Sequence, residues 1–218
     1  MTLNVDLVSD FVCPWCYIGK ARLNQAIADL QQKQPGLEVR LNWLPFFLNP
    51  DTPAAGEPYR AYLENKFGGP REVDALHDKV AAAGAPDGVN FAFDRIAVRP
   101  NTLKAHRLTY RAQARGDTPE RVRSLTDALF RAHFEEGRNI GDTETLADIA
   151  AACGDRREAV VAYLDGTEGA DAVKRMAEQV RKLGVSSVPF YIVDRQLTIS
   201  GAQSAAVLGA GLLQALSS

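Results

Sequence analysis

The chain has 218 residues, a formal net charge of −2, 46% hydrophobic and 24% charged residues, the proportions of an ordinary soluble globular protein. So neutral a surface steers neither nucleic acid nor an anionic membrane toward itself, and neither is expected as a partner. Three cysteines in a chain of this length exclude a stabilising disulfide framework, and no run approaches the roughly 18 to 20 apolar residues of a membrane span.

The first ten residues lack a basic leader, and Asp6 and Asp10 interrupt what could have been an apolar signal segment, so a cytoplasmic location is expected. Leu3, Val5 and Leu7 alternate, which predicts a strand over residues 3–8. It leads into Ser9-Asp-Phe-Val-Cys-Pro-Trp-Cys-Tyr-Ile-Gly-Lys20, a C-x-x-C followed by a helical pattern. Pro14 suits the first helical position with Cys13 as its cap. Cys16, Leu23, Ile27 and Leu30 share one stripe, so Cys16 is expected to face inward and Cys13 to stand at the open end. Pro35-Gly36 ends this helix, and Leu37, Val39, Leu41 and Trp43 alternate with polar residues as a half-buried strand.

Residues 49–58 are rich in Pro, Asp, Gly and Ala and read as a linker. Tyr59, Tyr62, Leu63 and Phe67 mark a short helix stopped by Gly68-Gly69-Pro70, and Val73, Leu76 and Val80 another that ends near Gly84. Val89, Phe91 and Phe93 alternate like a strand but are boxed in by Pro86 and Pro100, so 87–100 stays open. Asn101 is placed to cap a helix running to about Arg115, Thr118-Pro119 starts the next, and Asp142 starts one carrying Leu146, Ile149, Ala150 and Cys153. Val173, Met176, Val180 and Leu183 then form an amphipathic helix closed by Gly184. The β-rich run Val188-Pro-Phe-Tyr-Ile-Val193, the strand Leu197-Thr-Ile-Ser200 and a helix with Val207, Leu208, Leu212 and Leu216 complete the chain.

The order is β-α-β, a helical insert, then α-β-β-α, which is the thioredoxin order with helices spliced into its middle. The fold expected is therefore α/β, with a discontinuous thioredoxin-like domain over 1–50 and 166–218 and a helical insertion domain over 51–165. For the C-x-x-C, a redox dithiol is favoured over half a metal site or two structural thiols. Zinc needs four ligands, there is no second C-x-x-C, and His77, His106 and His133 stand alone. No metal is expected. A helix N-terminus stabilises a thiolate through its dipole and unpaired N–H groups, which makes Cys13 the attacking sulfur. Cys16, one turn on, is the resolving sulfur.

Around the dithiol, Pro14 and Trp15 are positioned to tune it. Asp10 is a candidate for the same role, with capping or turn duty favoured. Thioredoxin-like folds place a proline, usually cis, at the start of the strand facing the dithiol, so a resemblance to that fold implies that Pro189 is cis and faces Cys13, with Val188 before it offering its backbone to an extended substrate. His106 is read as a satisfied core histidine, Cys153 as a small buried hydrophobe, and Lys104, Arg107, Arg111 and Arg115 as a solvated face with room for an anionic thiol. Gly209-Ala-Gly211 lacks the third glycine of a dinucleotide fingerprint and Gly19-Lys20 the upstream glycine of a phosphate loop; both are set aside.

Several segments together carry a family likeness: the stretch from Ser9 to Lys20, Leu48-Asn-Pro50, Pro100-Asn-Thr-Leu-Lys-Ala-His-Arg107, Glu136-Gly-Arg-Asn-Ile-Gly-Asp142, Gly184-Val-Ser-Ser-Val-Pro-Phe190 and Ser200-Gly-Ala-Gln203. With them the chain resembles the DsbA-like thioredoxin family and, within it, the FrnE-like cytoplasmic oxidoreductases. The resemblance implies a thiol–disulfide oxidoreductase or isomerase acting on protein or small-molecule disulfides. It implies no bound cofactor and leaves room for glutathione as a co-substrate. A related branch contains the glutathione-dependent 2-hydroxychromene-2-carboxylate isomerases and kappa-class transferases. Those carry serine at the Cys13 position and an Asp-Arg pair near Gly201, where this chain has Gln203-Ser204. Ser187 departs from the glycine common in the FrnE-like pattern. A glutathione-dependent isomerase and a non-enzymatic peptide-binding module are the alternatives; the latter would use a groove between the insert and Pro189. Substrate and oligomeric state are not readable from the residues.

Overall fold

The computed structural model describes residues 2–217. Its centre is a four-stranded sheet of order β2-β1-β5-β6, built from β1 (Thr2–Ser9), β2 (Glu38–Pro45), β5 (Phe190–Val193) and β6 (Leu197–Ser200). β1 and β2 run parallel, with Leu7 opposite Trp43, while β5 lies antiparallel on the other side of β1 with Tyr191 opposite Leu7. The parallel pair needs a crossover, and α1 (Pro14–Lys33) supplies it. Between β2 and β5 come β3 (Glu57–Pro58), α2 (Tyr59–Phe67), α3 (Pro70–Gly84), β4 (Val98–Arg99), α4 (Leu103–Ala114), α5 (Pro119–Phe134), α6 (Thr143–Ala152), α7 (Arg157–Asp165) and α8 (Ala170–Lys182). α9 (Ala205–Leu216) closes the chain.

The period-2 pattern of β1 divides the core. Leu3, Val5 and Leu7 point to the side where α1 and α9 pack, together with Leu23, Leu30, Leu208 and Leu212. Val8 points the other way, into a smaller cluster with Phe46, Val180 and Val185 under α8. That second cluster depends on how α8 ends. Gly184 takes φ +90, its N–H reaches the Arg181 carbonyl at 3.0 Å, and the Val185 N–H reaches Val180 at 3.4 Å. This is a Schellman closure, which needs a left-handed residue at that position and brings the residue after it back onto the helix. It directs the following segment, Ser186 to Pro189, toward the start of α1.

The structure departs from the sequence reading at definite points. In the stretch left open by the sequence, residues 89–93 form no strand; Phe91 and Phe93 stack on each other at 4.8 Å, and a 3₁₀ turn covers Phe93–Arg95. The linker segment ends in β3, which pairs with β4. α7 is a helix with no counterpart in the sequence reading. Leu183 is 74% exposed rather than part of the buried stripe of α8, because it stands at the cap where the chain turns away. The cap of α4 is Thr102, although the Asn101 side chain does accept the Leu103 N–H at 3.0 Å.

Candidate active site

β1 delivers the chain to the dithiol through a tight turn in which the Cys13 N–H donates to the Asp10 carbonyl at 3.1 Å. Cys13 is extended (φ −94, ψ 110) and caps α1, with Pro14 in the first turn where a missing N–H is harmless. Its sulfur accepts the Cys16 N–H at 3.3 Å, so the capping atom of this helix is the thiol itself. Cys13 is nonetheless only 5% exposed, more enclosed than an open-end position suggests, because Val188 lies over it: the Cys13 thiol donates to the Val188 carbonyl at 3.8 Å.

Cys16 is fully buried on the inner face of α1. Burial, then the hydrogen bond and charge of Cys13, push its thiol well above the ordinary range, while the Ser9 hydroxyl and the Asp10 amide beside it pull the other way. Both cysteines are free thiols. Pro14 and Trp15 are half-buried, with Trp15 resting on the core.

The Val188–Pro189 peptide is cis. Pro189 is buried and its carbonyl accepts the Gly201 N–H at 2.8 Å. Gly19 makes this approach possible. A Cβ there would lie 2.8 Å from Pro189 Cγ and closer still to the Tyr191 hydroxyl, so any larger residue on this turn of α1 would push β5 away.

The inserted helices reach this site directly. Phe11 stacks on Trp43 at 4.9 Å and tilts against Phe130 of α5 at 5.2 Å. Tyr17, the residue after Cys16, stacks on Phe130 at 5.1 Å and donates its hydroxyl to Glu135 at 2.7 Å. Asp10 does not cap α1 with its side chain. Its Oδ2 accepts the Leu48 N–H at 2.9 Å, and its Oδ1 lies 3.2 Å from His106 Nε2. A cleft of about 460 Å³ opens beyond, lined by Phe47, Asn49 and Pro50 after β2, Asn101 to Leu103 at the start of α4, and Lys174, Ala177, Glu178 and Arg181 on α8. Phe47, one of its lining residues, packs edge-on against His106 at 5.1 Å.

Other residues are placed differently from the sequence reading. Arg107 is not solvated: it is 3% exposed and donates to the carbonyls of Tyr163, Leu164, Gly166 and Glu168. Lys104 donates to the Thr143 hydroxyl at 2.6 Å, and Arg115 pairs with Asp117 and Asp155. Cys153 is the half-buried cap of α6 rather than a stripe residue, and burial raises its thiol. Lys20, set aside as part of a phosphate-loop fragment, is fully buried and paired with Asp127 of α5. Among the described residues, no group of three or more His, Cys, Asp or Glu is placed to hold a metal ion, and no helix is long and apolar enough to cross a membrane.

A dithiol whose first sulfur caps a helix, facing a proline loop across a sheet of order β2-β1-β5-β6, defines a thioredoxin-like protein with a helical insertion between β2 and β5. Residues 4–212 match the DSBA-like thioredoxin domain, and the chain belongs to that family. It is similar to the crystal structure of a probable DsbA oxidoreductase from Streptomyces coelicolor, with 34% identity and a TM-score of 0.86, covering 99% of this chain and 90% of that one. The fold is also shared with a 2-hydroxychromene-2-carboxylate isomerase (15% identity, TM-score 0.70, 97% and 95% covered). A third similar structure is the cytosolic disulfide reductase DsbM from Pseudomonas aeruginosa with GSH (19% identity, TM-score 0.66, 99% and 100% covered).

Proposed function

We propose that this protein is a thiol–disulfide oxidoreductase of the FrnE-like type, using Cys13 as nucleophile and Cys16 as resolving thiol. The observation that carries the reading is the Cys13 sulfur in the capping position of α1, 3.3 Å from the Cys16 N–H, with Cys16 fully buried one turn on. A first-turn N–H and the positive end of a helix stabilise negative charge where that sulfur sits. Cys13 thiolate attacks one sulfur of a substrate disulfide, forming a mixed disulfide and releasing the other sulfur as a thiolate. Cys16 then loses its proton and attacks Cys13 Sγ; the Cys13–substrate bond breaks, and the second substrate sulfur leaves as a thiolate. The substrate gains two electrons and the enzyme holds them no longer, ending as the Cys13–Cys16 disulfide. Two glutathione molecules would return it to the dithiol by the same exchange in reverse.

Substrates are protein or small-molecule disulfides, approached past Val188, whose carbonyl already faces Cys13. Pro14 and Trp15 set the surroundings of the two sulfurs. We place the reaction in the cytoplasm. The glutathione poise there is roughly −220 to −320 mV, so a dithiol of more oxidising potential rests reduced and acts as a reductase or isomerase. That DsbM, a fold relative, is described as a cytosolic disulfide reductase and was solved with GSH is in keeping with this direction.

The test is the redox equilibrium of the purified protein against mixtures of reduced and oxidised glutathione, with Cys13→Ser as control. A two-electron titration that is lost in the variant is expected, alongside turnover of insulin or scrambled ribonuclease. Glutathione binding without redox turnover, together with activity retained after Cys16→Ser, would instead identify a glutathione-dependent isomerase or transferase.

A further inference from the structure

From Gln196 to Ser218 the chain carries no Asp, Glu, Lys, Arg or His, although 24% of its residues are charged. Two elements of this stretch lie at the surface, β6 and α9. β6 is an edge strand of the four-stranded sheet. The Gly201 N–H donates to the Pro189 carbonyl, and Tyr191 lies opposite Ile199. By the alternation of an antiparallel pair, Leu197 and Ile199 therefore exchange backbone bonds with β5, and the N–H and C=O groups of Thr198 and Ser200 point away from it. Among the described residues no backbone group meets them, and the Ser200 carbonyl accepts only from the Gln203 side chain, at 2.9 Å. Soluble proteins guard such an edge with Lys, Pro, a bulge or a short strand. β6 has no Lys, no Pro and an unbroken register; its one safeguard is its length of four residues.

α9 adds the apolar part of this surface. A Cβ on Gly209 would lie 3.9 Å from Ala26 of α1, and one on Gly211 would lie 2.5 Å from Ile199 of β6, so α1 flanks the helix on one side and β6 on the other. Leu208 and Leu212 fill the arc between them and are buried. At about 100° per residue, the opposite arc holds Ala206, Val207, Ala210 and Leu213, all exposed. Val207, 49% exposed, falls on the side of this arc that borders β6. The stripe adjoins the free edge, and the two form one uncharged face.

The charge pattern selects the occupant. In a two-fold contact each residue meets itself or a near neighbour, so a charge on the patch would confront its own copy, and this patch has none. An unrelated partner of ordinary surface would have to leave its own charges unpaired against it. A free strand edge is likewise its own complement when turned about a two-fold axis. We propose that this face joins two copies of the chain: β6 of each protomer pairs antiparallel with β6 of the other, making one eight-stranded sheet, with the two α9 stripes meeting beside the seam. The register that uses the free groups sets Thr198 opposite its own copy, each N–H donating to the other's carbonyl, and leaves the Ser200 carbonyl to Gln203. Four residues of strand are too few to hold such a dimer by themselves, and the apolar stripe of α9 supplies the remainder. The inference is independent of the oxidoreductase reading.

The experiment is sedimentation equilibrium of the full chain from low micromolar to near-millimolar concentration, with amide hydrogen exchange followed by NMR to locate the contact. A reversible dimer is expected, and the Thr198 amide, free in a monomer, should exchange more slowly as the dimer fills. Ala210→Glu sets like charges across the seam and should weaken the dimer by about a hundredfold or more. Thr198→Pro removes a donor that β5 does not use and should weaken it as well. The exchange of the wild-type protein carries the test even where a variant fails to fold. A wild-type chain that stays monomeric throughout overturns the proposal. So does a dimer that both folded variants leave intact, or one whose formation leaves Thr198 exchange unchanged, since either places the contact on another face. Protection of Thr198 that needs an added extended peptide instead of a second copy overturns it too, and assigns the edge to strand addition by a different partner.

Discussion

The sheet with its flanking α1 and α9 and the inserted helices are held together by different means. In the former, apolar alternation does most of the positioning: Leu3, Val5 and Leu7 of β1 meet Leu23, Leu30, Leu208 and Leu212 from the helices. In the insert and at its seam with α1, buried charged side chains bind partners distant in sequence, both carbonyls and carboxylates. Arg107 gathers the carbonyls of Tyr163 to Glu168, Arg99 pairs with Glu57 and lies 3.6 Å over the Tyr62 ring, and Lys20 reaches across from α1 to Asp127. Non-directional packing places the dithiol on a sheet that any apolar set of the right volume could build. Directional bonds fix the insert against it, and there the loss of one partner is severe.

Arg107→Ala should have the largest effect on stability. It would leave several buried carbonyls without a donor, and a loss of about 4 kcal/mol is expected, measured as a shift in urea midpoint at unchanged slope. A loss below about 1 kcal/mol would place Arg107 with the ordinary surface arginines and dissolve the contrast between the two regions.

Next comes acid. His133 has its folded-state pKa lowered from 6.5 to about 4 by burial, so between those values the unfolded chain binds a proton that the folded one refuses. Stability is therefore retained above the unfolded pKa and falls as pH drops toward the folded one, by about 3 kcal/mol over the whole window. Urea midpoints at successive pH values should show this slope, and His133→Gln should flatten it.

On the sheet side, Gly19→Ala sets helix propensity against packing. The methyl group favours helix by roughly 1 kcal/mol, but it meets Pro189 and the Tyr191 hydroxyl; overpacking of this kind costs about 1–3 kcal/mol. Net destabilisation is expected. Part of it should be recovered in the double variant with Tyr191→Phe, because the buried hydroxyl that the phenylalanine removes has no hydrogen-bond partner. Strict additivity of the two changes in thermal melts would show that the hydroxyl is not what the methyl group strikes. At the small end, Glu38→Gln breaks an exposed pair with Arg40 on the edge strand, and no resolvable change in melting temperature is expected.

The same contrast decides how much could be read from the chain. β1, α1 with its thiol cap, and the run from Val188 to Leu216 are written in periodicities of two and of three to four residues and in local capping chemistry, so their elements were legible. The insert was read less well, for identifiable reasons. Arg107 sits at helical spacing with Lys104, Arg111 and Arg115, and nothing local distinguishes a guanidinium facing water from one facing carbonyls some 56 to 61 residues on. Phe91 and Phe93 alternate because they stack on each other and pack against Phe134 and His77, not because they pair with a strand. α7 is short and carries only Val160, Tyr163 and Leu164 into the interior, too little for a periodic signal. In the site, Cys13, Cys16 and Pro189 announced themselves by motif, whereas His106 meets Asp10 across 96 residues and could be seen only once the helices were placed.

The central claim is the division of labour between the two sulfurs, and trapping tests it most directly. Each variant, made in a Cys153→Ser background because Cys153 is a third, half-buried free thiol, would be mixed with oxidised glutathione and its adduct read by intact mass. Cys16→Ser is expected to accumulate a stable mixed disulfide on Cys13, and Cys13→Ser to form none, since its remaining thiol is fully buried and held protonated. Equal trapping by both variants, or trapping by Cys13→Ser alone, would contradict the assignment.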